Sequence, residues 1–236
     1  MVVTELALLQ LKARQDCVAD AELRSFELIP ASVLEKLHEA IITQAQYSKH
    51  GVSLLRCPEN SDQIWLIGGW ESIEQHMNEW IPSDENQRLL KQLSTILEVR
   101  FMFHLGIAPS KLIDLVLANK AEDGLVAIGR YFVDQSKRTE FEQFWTSTVD
   151  DSNKYPLGRT SGRVGGWRSD TGFEAHDQLQ ASDKAFAEFV MFSSRKAIDN
   201  YMDFAETEEF ERYSDIKEHV IRADIRHGKV IDMAQV

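Results

Sequence analysis

Two stretches of this chain repeat one order of elements, and that duplication limits the fold more than any single motif does. The first stretch opens with TELALLQLKA, Thr4 to Ala13, which has strand length and partly alternating hydropathy. A helix pattern follows in PASVLEKLHEAIITQAQYSKHG. There Ser32 and Glu35 have capping-box spacing, Leu34, Leu37, Ile41 and Gln44 share a face, and Gly51 marks the stop. VSLLRC and QIWLIGGW read as two strands joined by the polar turn PENSD. Ser72, with Gln75 at the reciprocal position, caps the next helix. Pro82 interrupts that helix and Ser83 restarts it, with Leu89, Leu90, Leu93, Ile96 and Leu97 as its apolar stripe. EVRFMFHLGI closes the unit in the order β-α-β-β-α-β.

After a short linker helix in APSKLIDLVLANKAEDG, the order begins again. LVAIGRYFVD is a strand. SKRTEFEQFWTSTVDD is a helix capped by Ser136, with Phe141, Phe144 and Trp145 on one face. GRTSGRVGGWRS and KAFAEFVMFS are strands, SRKAIDNYMDFAETEEFERYSDIKEHV is a long helix with a second cap at Thr207, and IRADIRHGKVID is the last strand. Matching landmarks lie 120 apart for Leu6 and Val126, 122 for Trp70 and Phe192, 124 for Ser83 and Thr207, and 122 for Arg100 and Arg222. The two GGW tripeptides, at Gly68 and Gly165, are only 97 apart and are not equivalent. Gly68 and Gly69 thin the end of their strand before Trp70, which would leave room beside a cavity. The connection between the second and third strands is short in the first unit. In the second it is DTGFEAHDQLQASD, long enough for a lid carrying Glu174, His176 and Asp177, or for a plain loop.

Composition narrows the functions. With 26 basic and 38 acidic residues the net charge is -12, and no run of Lys or Arg offers a footprint for nucleic acid. The two cysteines, Cys17 and Cys57, form no CxxC pair and no disulfide framework. The apolar run at the N-terminus is too short and too interrupted for a leader or a membrane span. A cytoplasmic protein that binds neither nucleic acid nor membrane is the expectation. The seven histidines show no metal-ligand spacing. Phosphate loops and the GxSxG elbow are absent from the sequence.

A four-stranded antiparallel sheet with both helices on one face leaves its other face bare, and that face must be covered. Two such units in one chain can cover each other, sheet against sheet. The doubled pattern, with IGGWESIEQHMNEW running from third strand into second helix, resembles the dimeric α/β-barrel superfamily. Within it the chain is most similar to the antibiotic-biosynthesis-monooxygenase group, as a fused tandem. The resemblance implies an α+β fold of two ferredoxin-like βαββαβ units packed face to face as a pseudo-dimeric α/β barrel. The expected units are residues 1–107 and 125–236, with a linker helix at 108–124. It implies a cofactor-independent enzyme of secondary metabolism acting on a hydrophobic aromatic or polyketide-like molecule by oxygenation, cyclisation or decarboxylation. A non-catalytic carrier of a hydrophobic ligand and a haem-binding member, with His76 or His104 as axial ligand, are the alternatives. Beyond the intramolecular pseudo-dimer, a further homodimer is left open.

Strand alternation sorts the candidate site residues. In RFMFHLG the uniformly apolar row of Phe101, Phe103 and Leu105 should meet the helices, so His104 should look into the barrel. In IRADIR, Ala223 and Ile225 should meet the helices, leaving Arg222, Asp224 and Arg226 inside. Arg130 shares the inner row with Val126, Ile128 and Phe132, and Glu188 with Phe186, Val190 and Phe192. Arg130 and Glu188 can then pair, with Asp224 and Arg226 on the neighbouring strand. The expected chemistry is proton abstraction by His104 or Glu188, with Arg130 or Arg226 holding the anion. A purely structural ion-pair network is the alternative. Gln10, Trp65, Trp70, His76 and Phe192 are the expected substrate contacts, although each tryptophan can also be core and His76 a surface histidine.

Overall fold

A computed structural model describes residues 1–12, 29–121, 124–152, 162–170, 186–196 and 215–232. The second cap at Thr207, most of the last long helix, Cys17, and the Glu174, His176 and Asp177 loop lie outside the described residues. The strands are β1 (Val3–Leu11), β2 (Val52–Arg56), β3 (Gln63–Trp70), β4 (Leu97–Leu105), β5 (Gly124–Asp134), β6 (Arg163–Trp167), β7 (Phe186–Lys196) and β8 (Arg222–Val230). The helices are α1 (Ala31–Ser48), α2 (Asp84–Leu93), α3 (Pro109–Ala118), α4 (Arg138–Ser152) and α5 (Ile216–His219), with a π-helical segment at Gln75–Trp80.

The strand order is β4-β1-β3-β2-β8-β5-β7-β6, so the first and third strands of each half are central, as a doubled βαββαβ pattern requires. Two seams join the halves. At one, Leu55 pairs with Val230 and Arg56 with Lys229, and the Ile231 N–H donates to the Leu54 carbonyl (2.9 Å). At the other, Leu105 bridges Arg168, the Gly106 N–H reaches the Trp167 carbonyl (3.0 Å) and the Ser169 N–H reaches the His104 carbonyl (2.8 Å). The sheet therefore closes on itself as a barrel, which removes its exposed edges.

Leu6, Leu8, Trp65, Ile67, Phe101, Phe103 and Leu105 from the first half meet Val126, Ile128, Val190 and Phe192 from the second inside that barrel. The linker helix is part of this core. Leu112, Leu115 and Val116 of α3 join it, as does Ile107, whose carbonyl accepts from the Thr4 hydroxyl (2.9 Å). A second cluster fills the space between the first sheet and its helices, with Ala7, Leu9, Leu54, Ile64 and Met102 against Val33, Leu37, Ile41 and Leu93. A third packs Tyr131, Phe189 and Met191 against Phe141 of α4 and Ile216 of α5.

One expected orientation is reversed. Phe101, Phe103 and Leu105 point into the barrel, and Met102 and His104 face the helices. The barrel interior is enclosed by sheet and α3 and needs the wholly apolar row. The helix layer carries polar partners and accepts the mixed one. In β8, Arg222 lies over the Phe132 ring but is exposed, Asp224 and Arg226 are half-buried, and Ala223 and Ile225 are exposed rather than covered by helices, Ile225 at 47%.

Local signals also shift. α1 starts from Pro30 without a side-chain cap, so the Ser32–Glu35 box does not form. It ends at Lys49 in the left-handed region (φ 62), two residues before Gly51. Ser83 caps α2 through the Asn86 N–H (3.2 Å), and Ser72 accepts from the Gln75 N–H (3.1 Å). Leu89 and Leu93 are buried, but Leu90 is exposed and Leu97 already belongs to β4. Ahead of α4 a 3-10 turn at Gln135–Lys137 is capped by Asp134, whose carboxylate takes both the N–H and the hydroxyl of Ser136. The space left by Gly68 and Gly69 is filled. A Cβ at Gly68 would lie 2.5 Å from Gln44 Nε2, and one at Gly69 would lie 2.5 Å from the His50 side chain and 2.6 Å from that of Pro109.

If α3 is a true wall of the barrel core, Leu112→Ala should cost about 2–5 kcal/mol in chemical denaturation. A loss below about 1 kcal/mol would show that the helix is only a tether.

Candidate active site

The expected site residues fall into three places. Arg130 and Glu188 lie at the barrel centre, where Arg130 Nε–H donates to Glu188 Oε1 (2.5 Å) and Arg168 Nη1–H to Oε2 (3.1 Å). The Arg130 guanidinium sits over the rings of Phe101 (4.5 Å), Phe103 (5.3 Å) and Phe132 (5.5 Å), and Arg168 sits over Phe103 (4.5 Å). Trp65 and Phe192 are buried in the same core, Trp65 edge-on to Phe101. Both oxygens of Glu188 are taken by guanidinium groups, and the cations rest on aromatic faces. Such a set ties strands together more readily than it supplies a free base.

Asp224, Arg226 and Gln10 form a second, partly exposed group. Arg226 Nε–H donates to Asp224 (3.1 Å) and its Nη1–H to Gln63 Oε1 (2.8 Å), while Gln63 Nε2–H donates to Gln10 Oε1 (3.1 Å).

The third place lies between the first sheet and its helices and collects His104, His76 and Trp70. β4 carries His104 on its helix-facing row. The π-helical turn, with one extra residue per turn, brings both His76 and Trp80 to the buried side. His104 is 0% and His76 2% exposed. From the second half, the residues after β6 bring Asp170, whose side chain is 18% exposed. The Asp170 carboxylate is gripped at both oxygens. The His104 backbone N–H donates to Oδ1 (2.9 Å), and His104 Nδ1–H donates to Oδ2 (2.6 Å). With that proton on Nδ1, Nε2 of neutral His104 is an acceptor, and it takes the Nδ1–H of His76 at 2.7 Å. The neutral His76 ring then carries an unprotonated Nε2, 3.8 Å from Glu5 Oε2 and beyond hydrogen-bond reach. Glu5 Oε2 instead accepts from Trp70 Nε1–H (2.9 Å) and Gln44 Nε2–H (2.8 Å). Trp70 also stacks on His76, centroids 4.2 Å apart and planes 8° from parallel.

Burial pulls the His76 imidazole below its usual range, and this outweighs the attraction of Glu5. Burial pushes the Asp170 carboxyl up, but the bonds from the His104 ring and backbone prevail and hold it below the usual carboxylate value. An ionised carboxylate, a first imidazole and a neutral second imidazole thus stand in line. The arrangement can accept a proton at His76 Nε2 and share its charge toward Asp170.

Asp170, Glu5 and Gln44 were not among the expected site residues. Glu5 leaves a trace, as the one charged residue in the run from Val2 to Leu9, where Thr4 is the only other polar residue. Asp170 leaves none, because it acts across the seam.

Of the two residues offered for haem, His104 has no nitrogen left to serve as a ligand. Both ring nitrogens of His104 are engaged within the relay, and His76 offers only Nε2, on a ring stacked against Trp70 with the Glu5 carboxylate 3.8 Å away. Among the described residues no group of three or more His, Cys, Asp or Glu side chains could hold a metal ion.

No protein-family model and no curated protein matches the chain. Solved structures do. It is similar to a candidate monooxygenase from Fusobacterium nucleatum (TM-score 0.61, 9% identity, covering 98% of this chain and 93% of that one). It is also similar to a candidate monooxygenase from Lactobacillus acidophilus (TM-score 0.57, 8% identity, 98% and 99%) and to an anthrone oxidase-like protein (TM-score 0.56, 10% identity, 97% and 91%). At such identities the likeness is one of fold. The chain has the dimeric α/β-barrel fold, built from a single polypeptide. Among the described residues no helix is long and apolar enough to cross a membrane.

The lowered His76 value means that the unfolded chain binds more protons than the folded one between that value and 6.5. The stability involved is complete above 6.5 and lost as pH falls through the folded value, so the melting temperature should drop on acidification from neutral pH. His76→Gln should flatten the drop, and an equally steep profile in the variant would refute the assignment. Arg130→Ala should cost about 3–5 kcal/mol in denaturant titration, because it leaves Glu188 Oε1 unpaired in the core with Arg168 on Oε2 alone. A loss under about 1 kcal/mol would remove the structural role.

Proposed function

We propose that the chain is an enzyme of monooxygenase-like chemistry that removes a proton from a hydrophobic aromatic or polyketide-like molecule, with His76 as the base and no bound cofactor. The observation that carries this reading is the Asp170–His104–His76 line, which leaves a neutral imidazole nitrogen beside the Trp70 ring. A base of this kind suits a carbon acid whose conjugate anion is delocalised over rings and a carbonyl. An anthrone is such an acid, and an anthrone oxidase-like protein is among the structural neighbours. Reaction of the carbanion with dioxygen, followed by loss of water, turns the methylene into a carbonyl. One oxygen atom enters the product, the other leaves as water, and the two methylene hydrogens leave with it. His76 takes the first proton at Nε2. The His104–Asp170 pair lets that charge be shared without solvent.

Oxygen uptake with anthrone as probe tests the reading. The wild type should consume one dioxygen per anthrone above the buffer rate, and His76→Gln should lower kcat by about 100- to 10,000-fold. A variant as fast as the wild type would end the base assignment. Tight anthrone binding without oxygen uptake would favour the carrier reading instead.

A further inference from the structure

We infer that Asp170 is a positioning residue which the second half of the chain supplies to the site of the first half, where it sets the tautomers of His104 and His76. The inference rests on the proposed use of His76 as base, but it concerns the rings themselves and can be read without substrate.

An ionised carboxylate only accepts. Asp170 Oδ1 is fixed by the His104 backbone N–H, so Oδ2 is left to face the ring at Nδ1. A singly protonated His104 must then carry its proton on Nδ1 and accept at Nε2. His76 must donate from Nδ1, and its Nε2 is left bare. Among the described residues nothing in the first half enforces this choice. The first-half groups around the pair are Glu5, which stands 3.8 Å from His76 Nε2, and Trp70, which stacks on the His76 ring and gives its N–H to Glu5. The carboxylate arrives only because the seam between β4 and β6 closes. The Ser169 N–H on the His104 carbonyl (2.8 Å) and Arg168 Nε–H on the Asp170 carbonyl (2.7 Å) hold that turn in place. The first-half site is therefore incomplete without the second half.

Asp170→Asn makes the test sharp. The backbone N–H of His104 retains the amide oxygen at the Oδ1 position, which puts the NH₂ group against the ring. His104 Nδ1 must then accept, its proton moves to Nε2, and His76 must accept at Nδ1 and carry its proton on Nε2. Both rings invert, and the base is blocked by its own proton. Long-range proton–nitrogen spectra of nitrogen-15-histidine protein at neutral pH read this directly. The wild type should show Nδ1–H on both rings, and Asp170→Asn should show Nε2–H on both. An Nε2–H tautomer at either ring of the wild type overturns the inference, and this reading stands even if the variant fails to fold. A folded Asp170→Asn protein with unchanged tautomers overturns it as well. With anthrone as probe, kcat in Asp170→Asn should fall about 100-fold while KM stays within about twofold, since the substrate is not touched. If the rings invert but the wild type does not oxidise anthrone, the proposed reaction fails and the positioning role stands. If anthrone is oxidised while the wild-type rings hold the other tautomer, the positioning role fails and the reaction stands.

Discussion

The bare apolar face of a four-stranded antiparallel sheet is the constraint on which this molecule depends. Neither half can leave its inner face in water, and each is covered by the other. Closure at two seams joins the two open sheets, eight strands among the described residues, into one barrel. The ladder at each seam is short, so the hydrogen bonds alone do little. The shared interior of leucines, phenylalanines and tryptophan supplies most of the stabilisation, at roughly 25 cal/mol per Å² of apolar surface buried. The helix that links the halves adds Leu112, Leu115 and Val116 to the same core.

Closure also decides where polar chemistry can sit. Inside the barrel, charge is tolerated only in a finished set, and Arg130, Glu188 and Arg168 are such a set, stacked on Phe101, Phe103 and Phe132. The helix layer of the first half is more permissive, because loops and helix ends bring side chains to it from several directions. The π-helical turn delivers His76, β4 delivers His104, and the β4–β6 seam delivers Asp170. The relay is thus a product of closure.

The sequence carried the fold well because its signals are periodic and repeat. Strand length, helical spacing and the offset near 122 survive errors at single boundaries. The pairing of Arg130 with Glu188 was legible for a related reason. The first and third strands are adjacent in any βαββαβ unit, and both residues share rows with apolar neighbours that must face inward. The site was less legible. For β4 the choice between rows hung on which layer is drier, and the wholly apolar row belongs to the barrel, which reverses His104. Asp170 could not be found by period or spacing, since its partner is set by a seam joining residues 66 positions apart. Capping signals were uneven for a plainer reason. Ser83 had no competitor, whereas Ser136 yielded to the nearby carboxylate of Asp134.

The contrast between the two buried polar groups argues for which one works. Burying polar atoms is unfavourable unless each finds a partner, so a network kept only for structure should be complete at every end. Around Glu188 it is, with a guanidinium on each carboxylate oxygen. The histidine relay is complete at Asp170, at both nitrogens of His104 and at Nδ1 of His76, and it stops there. His76 Nε2 stands 3.8 Å from the nearest carboxylate oxygen, whose own bonds go to Trp70 and Gln44. Two apolar residues could fill the space of the two rings at no polar cost. The relay instead keeps one basic nitrogen unfinished while every atom behind it is fixed. Burial keeps that nitrogen unprotonated at neutral pH, and a fixed, unprotonated nitrogen is what a general base requires.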